Sequence, residues 1–250
     1  MTRKYAVLGS PIAHSLSPKI HSYCFEQLGI DATYERFEIA SGLEAFLQDH
    51  IDYSGFSLTM PLKDEAFAVA NQLTDVAGQT QSVNTLVKNT NGYVGHNTDV
   101  PGIQAAIGFS PTLVAVLGSG ATARSALAAF PESRRLIYAR NTGVAASLAA
   151  KFNAELVEVS TAFEAEVLIS TLPHGVLPEL AAQNTRPKTL LDAVYTNPEI
   201  AAESYVSGLE MLIHQAIYQQ RIFATGHEDQ PLNNEAELLD GLMGLLSVAK

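Results

Sequence analysis

Two hydrophobic rhythms alternate along the chain. Short apolar runs occupy residues 4–8, 32–39, 55–60, 112–117, 134–140, 155–159, 167–173 and 189–195. Between them lie segments with the helical spacing or composition of a buried-face helix: 18–29, 43–51, one opening at Pro61, 102–109, the segment after Gly120, and 144–152. Strands that alternate with helices predict a parallel sheet covered on both faces, hence an α/β fold. Residues 82–88 and 92–95 break this rhythm, because Asn89-Thr90-Asn91-Gly92 between them is a hairpin signal.

The alternation falls into two blocks that meet near position 100. A first α/β domain with a mainly parallel sheet is expected over residues 1–100, and a Rossmann-like dinucleotide-binding domain over 101–208. A helix begins at 208–216, and a last one over 233–250 carries Leu238, Leu239, Leu242, Leu245 and Leu246 on one stripe. That stripe needs a partner, so residues 209–250 are expected to return to the first domain.

The chemistry is most compact after the run 112–117. Gly118-Ser119-Gly120-Ala121-Thr122-Ala123 follows a predicted strand and opens a predicted helix, in the pattern G-x-G-x-x-A. Gly118 permits the turn, Gly120 lets a pyrophosphate approach the backbone, and Ala123 allows close packing of helix on strand. At the end of the next strand stands Tyr138-Ala139-Arg140-Asn141-Thr142. An acid there would bind the ribose hydroxyls of NAD; Arg140 instead suits the 2′-phosphate of NADP.

Composition sets outer bounds. Fifteen Lys and Arg stand against 26 Asp and Glu, for a net charge of −11, which disfavours a nucleic-acid role. The only cysteine, Cys24, admits no internal disulfide and reads as a buried structural thiol. The seven histidines show no paired ligand spacing, so no metal is expected. The chain enters a strand at once, without a leader pattern or a stretch of spanning length, and a cytoplasmic protein is expected.

Elsewhere the residues leave two readings open. His14, Ser15 and Ser17 lie between Pro11 and Pro18: Ser17 is a natural helix N-cap, yet the rigid hydroxyl-rich loop also suits a carboxylated or polyhydroxylated ligand. Thr59 ends a strand and Lys63 lies in a first helical turn, where the dipole opposes a cation; such a lysine can shuttle protons if a carboxylate positions it. Asp99 is either a helix cap or that carboxylate.

The set G-S-P-x-x-H-S-L-S-P from Gly9, T-M-P-L-K from Thr59, S-V-N-T from Ser82, H-N-T-D-x-x-G from His96 and G-x-E-M-L-x-H-Q-A from Gly208 resembles the shikimate dehydrogenase family over nearly the whole chain. The resemblance implies NADP-linked interconversion of 3-dehydroshikimate and shikimate, in a cleft between a substrate domain and a nucleotide domain. It implies Ser15 and Ser17 at the substrate carboxylate, Thr59, Asn84 and Gln215 at its other substituents, Tyr195 in the cleft, and Lys63 with Asp99 as the catalytic pair. For the cofactor it implies Gly118, Ser119, Gly120, Ala121 and Thr122 at the phosphates, Arg140 at the 2′-phosphate, Gly208 near the nicotinamide, and Asp75, which also reads as a helix-terminal acid.

Some positions depart from the family pattern. Ala121 replaces a glycine, Ser170-Thr171-Leu172-Pro173 replaces N-A-T-P, and Val144 stands where a second basic clamp residue is usual, which weakens the expected preference for NADP over NAD. The alternatives are a quinate or dual quinate/shikimate dehydrogenase using NAD, and a non-catalytic NADP-binding regulatory protein. A small-molecule substrate and a monomer or homodimer complete the expectation.

Overall fold

The computed structural model describes residues 2–194 and 200–247. It comprises two compact units, Met1–Thr98 with Ile213–Lys250, and Asp99–Leu212. The divisions therefore fall at 98/99 and 212/213, where the sequence reading set 100/101 and 208/209.

In the first unit the elements run β1 (Arg3–Gly9), α1 (Ser17–Gln27), β2 (Ala32–Glu38), α2 (Leu43–Asp49), β3 (Gly55–Leu58), α3 (Lys63–Val69), β4 (Gln72–Leu73), α4 (Asp75–Thr80), β5 (Thr85–Asn89) and β6 (Gly92–His96). The sheet order is β2-β1-β3-β5-β6-β4. Strand β1 is parallel to β2 and β3, while β5 runs antiparallel to both β3 and β6, so the hairpin reverses an otherwise parallel sheet. The apolar run in β1 serves two cores. Tyr5 and Val7 pack with Phe25 and Tyr34, whereas Ala6 and Leu8 pack with Leu43, Phe56, Leu62 and Leu86 on the opposite face. A strand buried on both faces has no polar alternation, which explains its sequence. Each fully buried Leu or Phe here contributes roughly 1.5–3 kcal/mol.

The second unit runs α5 (Asp99–Ile107), β7 (Leu113–Leu117), α6 (Ala121–Ala129), β8 (Arg134–Tyr138), α7 (Thr142–Phe152), β9 (Glu155–Leu156), α8 (Val159–Phe163), β10 (Val167–Ser170), α9 (Val176–Ala181), β11 (Thr189–Asp192) and β12 (Ser204–Ser207). Its sheet order is β12-β11-β10-β7-β8-β9 with every pairing parallel. Counted from β7, that is the doubly wound 3-2-1-4-5-6 order, whose switch point lies between β7 and β10. The run 155–159 is not one strand. Only Glu155 and Leu156 pair with β8, and Val159 starts α8, which buries Ala162 and Phe163.

Two helices complete the chain, α10 (Gly208–Thr225) and α11 (Glu235–Ser247). Phe223 of α10 joins the Tyr5 core, and its carbonyl accepts from Arg3 Nη1 at 3.0 Å and Tyr5 Oη at 3.2 Å. In α11 Leu238, Leu242 and Leu246 are buried at successive i+4 positions. A Cβ added to Gly241 would come within 2.0 Å of Tyr23 Oη on α1, so these two helices meet closely. Among the described residues no helix is long and apolar enough to cross a membrane.

Candidate active site

In the first unit several site candidates lie at strand ends in the middle of the sheet. The register Leu8↔Leu58 makes β1 and β3 end together. Thr59 N–H then donates to Leu8 O at 2.9 Å, and Ser10 N–H donates to Met60 O at 2.9 Å. A Cβ on Gly9 would lie 2.3 Å from Thr59 Cγ2 and 2.8 Å from Met60 O, so close approach of the two chains requires glycine there. Ser15 and Ser17 follow in the loop that Gly9 opens.

Ser17 does not cap its helix. It is the first residue of α1, Leu16 holds the cap position without a side-chain bond, and Ser15 Oγ accepts from Ser17 N–H at 3.3 Å. The serine two residues earlier thus satisfies the amide, and the Ser17 side chain is not used in capping; Ser17 is 8% exposed. Nor does Pro61 open α3. Residues 60–62 form a turn closed by Leu62 N–H to Thr59 O at 2.9 Å, and Lys63 is the first helical residue. Asp64 and Glu65 share that first turn and answer the helix dipole, and Glu65 accepts from the Leu43 amide at 3.0 Å. Lys63 is half-buried.

Asn84, just before the antiparallel β5, stands beside the end of β3. Leu58 N–H donates to Asn84 O at 2.8 Å, and Asn84 N–H donates to His96 O at 3.0 Å. Asn84 Oδ1 accepts from Thr98 N–H at 2.9 Å, and Asn84 Nδ2 faces Thr98 Oγ1 at 3.0 Å and Gln215 Oε1 at 3.4 Å. Thr98 Oγ1 also lies 3.1 Å from Gln215 Oε1. Asn84 and Gln215, named from sequence 131 residues apart, are therefore in one hydrogen-bonded cluster. Thr98 is a member that the sequence reading missed, although it stands within the quoted H-N-T-D motif.

Behind this cluster lies a second polar layer that was also missed. Gln219, one turn beyond Gln215 on α10, contacts Asn84 O, Thr85 Oγ1, Ser57 Oγ and His21 Nε2. The i, i+4 spacing of Gln215 and Gln219, which puts two carboxamides on one face of α10, was the available signal. Burial holds the His21 imidazole down to about 3, against the opposing hydrogen bond with Gln219, so it is neutral. Cys24 is buried too, and burial pushes its thiol up to about 12, the behaviour of an inert structural cysteine.

In the second unit the glycine loop closes the switch point. Gly118 has φ +118°, and a Cβ there would stand 2.3 Å from Thr171 Oγ1. Thr171 Oγ1 in turn donates to Leu117 O at 2.9 Å, so the departure at position 171 fills the space beside Gly118. Gly120 is different. A Cβ there would meet no protein atom within 4 Å, so packing does not explain the bare backbone. It occupies the N-cap of α6 without a side-chain bond, which leaves the first amides of that helix, from Ala121 and Thr122 onward, without a side-chain cap. Together with Ser119 these groups fit a pyrophosphate.

Gly118 N–H donates to Tyr138 O at 2.9 Å, which ties the loop to the end of β8 two residues before the exposed Arg140. Asn141 caps α7 by accepting from Val144 N–H at 3.2 Å. Val144 itself is 42% exposed in the first turn. Gly208 has a packing reason, since a Cβ would lie 2.7 Å from the Ala193 and Val194 carbonyl oxygens. It follows a capping box in which Ser207 Oγ accepts from Glu210 N–H at 3.1 Å and Glu210 Oε2 accepts from Ser207 N–H at 2.7 Å.

Asp99 is the first residue of α5 and 5% exposed. Asp75 is exposed at the start of α4, beside the capping Thr74, in the position of a helix-terminal acid. Tyr195 lies outside the described residues.

A doubly wound parallel sheet with a glycine loop at its switch point defines the class: an α/β protein with a dinucleotide-binding fold, joined to a second α/β unit of mixed sheet. The family model of the shikimate dehydrogenase substrate binding domain matches residues 7–86. The chain is 34% identical over 245 residues to the shikimate dehydrogenase (NADP(+)) of Caulobacter vibrioides, covering 84% of this chain and 86% of that protein. It is 31% identical over 263 residues to the pentafunctional AROM polypeptide of Eremothecium gossypii, of whose length it spans 17%, with 88% of this chain covered. The crystal structure of Mycobacterium tuberculosis shikimate dehydrogenase superposes with a TM-score of 0.86 at 34% identity, covering 98% of this chain and 99% of that one. This chain belongs to the shikimate dehydrogenase family.

Proposed function

We propose that this chain catalyses the reversible NADPH-dependent reduction of 3-dehydroshikimate to shikimate. The observation that carries the reading is the polar cluster at the strand ends in the middle of the first sheet, where Asn84 and Gln215 meet at 3.4 Å. Ser15 and Ser17 hold the substrate carboxylate, and Thr59, Asn84 and Gln215 hold its hydroxyls and ring substituents. Gly118 to Thr122 hold the cofactor phosphates, Arg140 the 2′-phosphate, and Gly208 stands near the nicotinamide; Asp75 is a further cofactor candidate, and Tyr195 is a further substrate candidate. The cofactor supplies a hydride when bound.

Reduction of a ketone places negative charge on its oxygen. Lys63 stabilises that charge and delivers the proton that completes the alcohol, and in the reverse direction it accepts the proton. Asp99 orients Lys63 and hydrogen-bonds the neighbouring hydroxyl. Gly120 supports the cofactor half of this reading, because its bare backbone has no packing reason.

The experiment is to mix the purified chain with 3-dehydroshikimate and NADPH, follow NADPH absorbance, and identify the product by chromatography. The reading expects stoichiometric shikimate. Failure to turn over in either direction would leave the non-catalytic regulatory alternative in its place.

A further inference from the structure

The polar layer beneath Asn84 has a donor direction fixed by its backbone ends. The Thr98 amide can only donate, so the Asn84 group 2.9 Å away is Oδ1. The Asn84 carbonyl can only accept, so the Gln219 group 3.2 Å away is Nε2. Every other role then follows. Gln219 Oε1 faces Ser57 Oγ and His21 Nε2, each at 3.0 Å, and both donate to it. His21 Nδ1 accepts from Gln220 Nε2 at 2.7 Å, and Tyr34 Oη donates to Ser57 Oγ at 2.6 Å. Gln219 Nε2 also donates to Thr85 Oγ1 at 2.9 Å, so the single Thr85 proton goes to Asn84 Oδ1, also at 2.9 Å.

His21, Ser57, Thr85, Gln219 and Gln220 are all buried. Apolar side chains of the same shape can be nearly neutral for stability at a buried site, so stability alone does not require this chain of groups. What the chain does determine is geometry. It holds the Asn84 carboxamide by its oxygen and its main chain together, in one orientation.

We propose that Thr85 and Gln219 are positioning residues that fix the Asn84 carboxamide for substrate. The inference rests on the reading of Asn84 as a substrate-binding residue. The test is calorimetric titration of shikimate into the wild-type chain and the variants Thr85→Val, Thr85→Ser and Asn84→Ala, with steady-state KM and kcat as a second readout. Thr85→Val keeps the shape and β-branching but removes the hydroxyl, and should raise the shikimate Kd by about 5- to 10-fold. KM should rise in parallel while kcat changes less. Thr85→Ser, which keeps the hydroxyl, should stay within about twofold of wild type.

Gln219→Met, which fills the same volume without donors, should move KM in the same direction and serves if Thr85→Val does not fold. An unchanged Kd in Thr85→Val beside a raised one in Asn84→Ala would overturn the positioning role. So would an increase that Thr85→Ser shares. An unchanged Kd in Asn84→Ala would instead overturn the substrate role of Asn84 itself.

Discussion

At the strand ends in the middle of the first sheet, Asn84, Thr98, Gln215 and Gln219 come from three separate stretches of chain, and their side chains are held by other side chains. At the carboxyl end of β7, Gly118 and Gly120 lie two residues apart, the first bare because Thr171 packs against it and the second bare with no packing reason. In the proposed reading the difference follows from what each half binds. A phosphate is read by amide N–H groups at a helix start, so the requirement is the absence of Cβ atoms. A ring bearing several hydroxyls is read by oriented carboxamides and hydroxyls, which need support in depth.

The comparison can be broken most sharply at Lys63. If it supplies chemistry and the carboxamides supply binding, Lys63→Ala should lower kcat by about 10²-fold or more while the shikimate Kd changes less than about 10-fold. Rapid-mixing and equilibrium titration measure the two quantities separately. Turnover equal to wild type would remove Lys63 from the mechanism.

The glycines give the next largest contrast. Gly118→Ala puts a Cβ at φ +118° against Thr171 and should destabilise the chain by about 1–3 kcal/mol. Gly120→Ala enters open space, so stability should stay within about 0.5 kcal/mol while KM for NADP rises by about tenfold. Urea denaturation beside NADP kinetics separates the two. Equal loss of stability in both variants would contradict a backbone kept bare for a ligand.

His21 yields the smallest effect, through pH. Its ordinary value of 6.5 falls to about 3 in the folded chain, so between these values the unfolded state binds the extra proton. Stability contributed by neutral His21 is therefore complete above pH 6.5 and is lost as pH falls toward 3, with about 1–2 kcal/mol gone by pH 5. Denaturation of wild type and His21→Gln at pH 7 and pH 5 should show the steeper decline in wild type. Identical slopes would mean that the imidazole charges freely and that the buried layer is open.

How much of this was legible in sequence follows the same division. The strand, glycine loop and helix of the second unit were readable because they are contiguous: Gly118 follows β7, Gly120 holds the N-cap of α6, and Arg140 follows β8, as local spacing predicts. The substrate half was readable only as motifs. Ser17 could be read as a cap until Leu16 was seen to hold the cap position, with Ser17 already the first residue of α1, and a one-residue shift of a helix start is not legible locally. Gln219, Thr85 and Thr98 escaped because their partners lie in other segments, and a glutamine on an apolar helix face reads as an interruption until its partners are known. In the fold, the run 155–159 read as one strand because alternation over so few residues cannot distinguish a strand end from the first turn of α8.

The most direct measurement compares kcat/KM for shikimate and quinate, each with NADP and with NAD. The account predicts that shikimate with NADP leads, by at least about tenfold over each other combination, with Arg140 sufficient as a clamp although Val144 replaces the second basic residue. Quinate or NAD matching that value would contradict it and would assign the chain the dual-specificity activity instead.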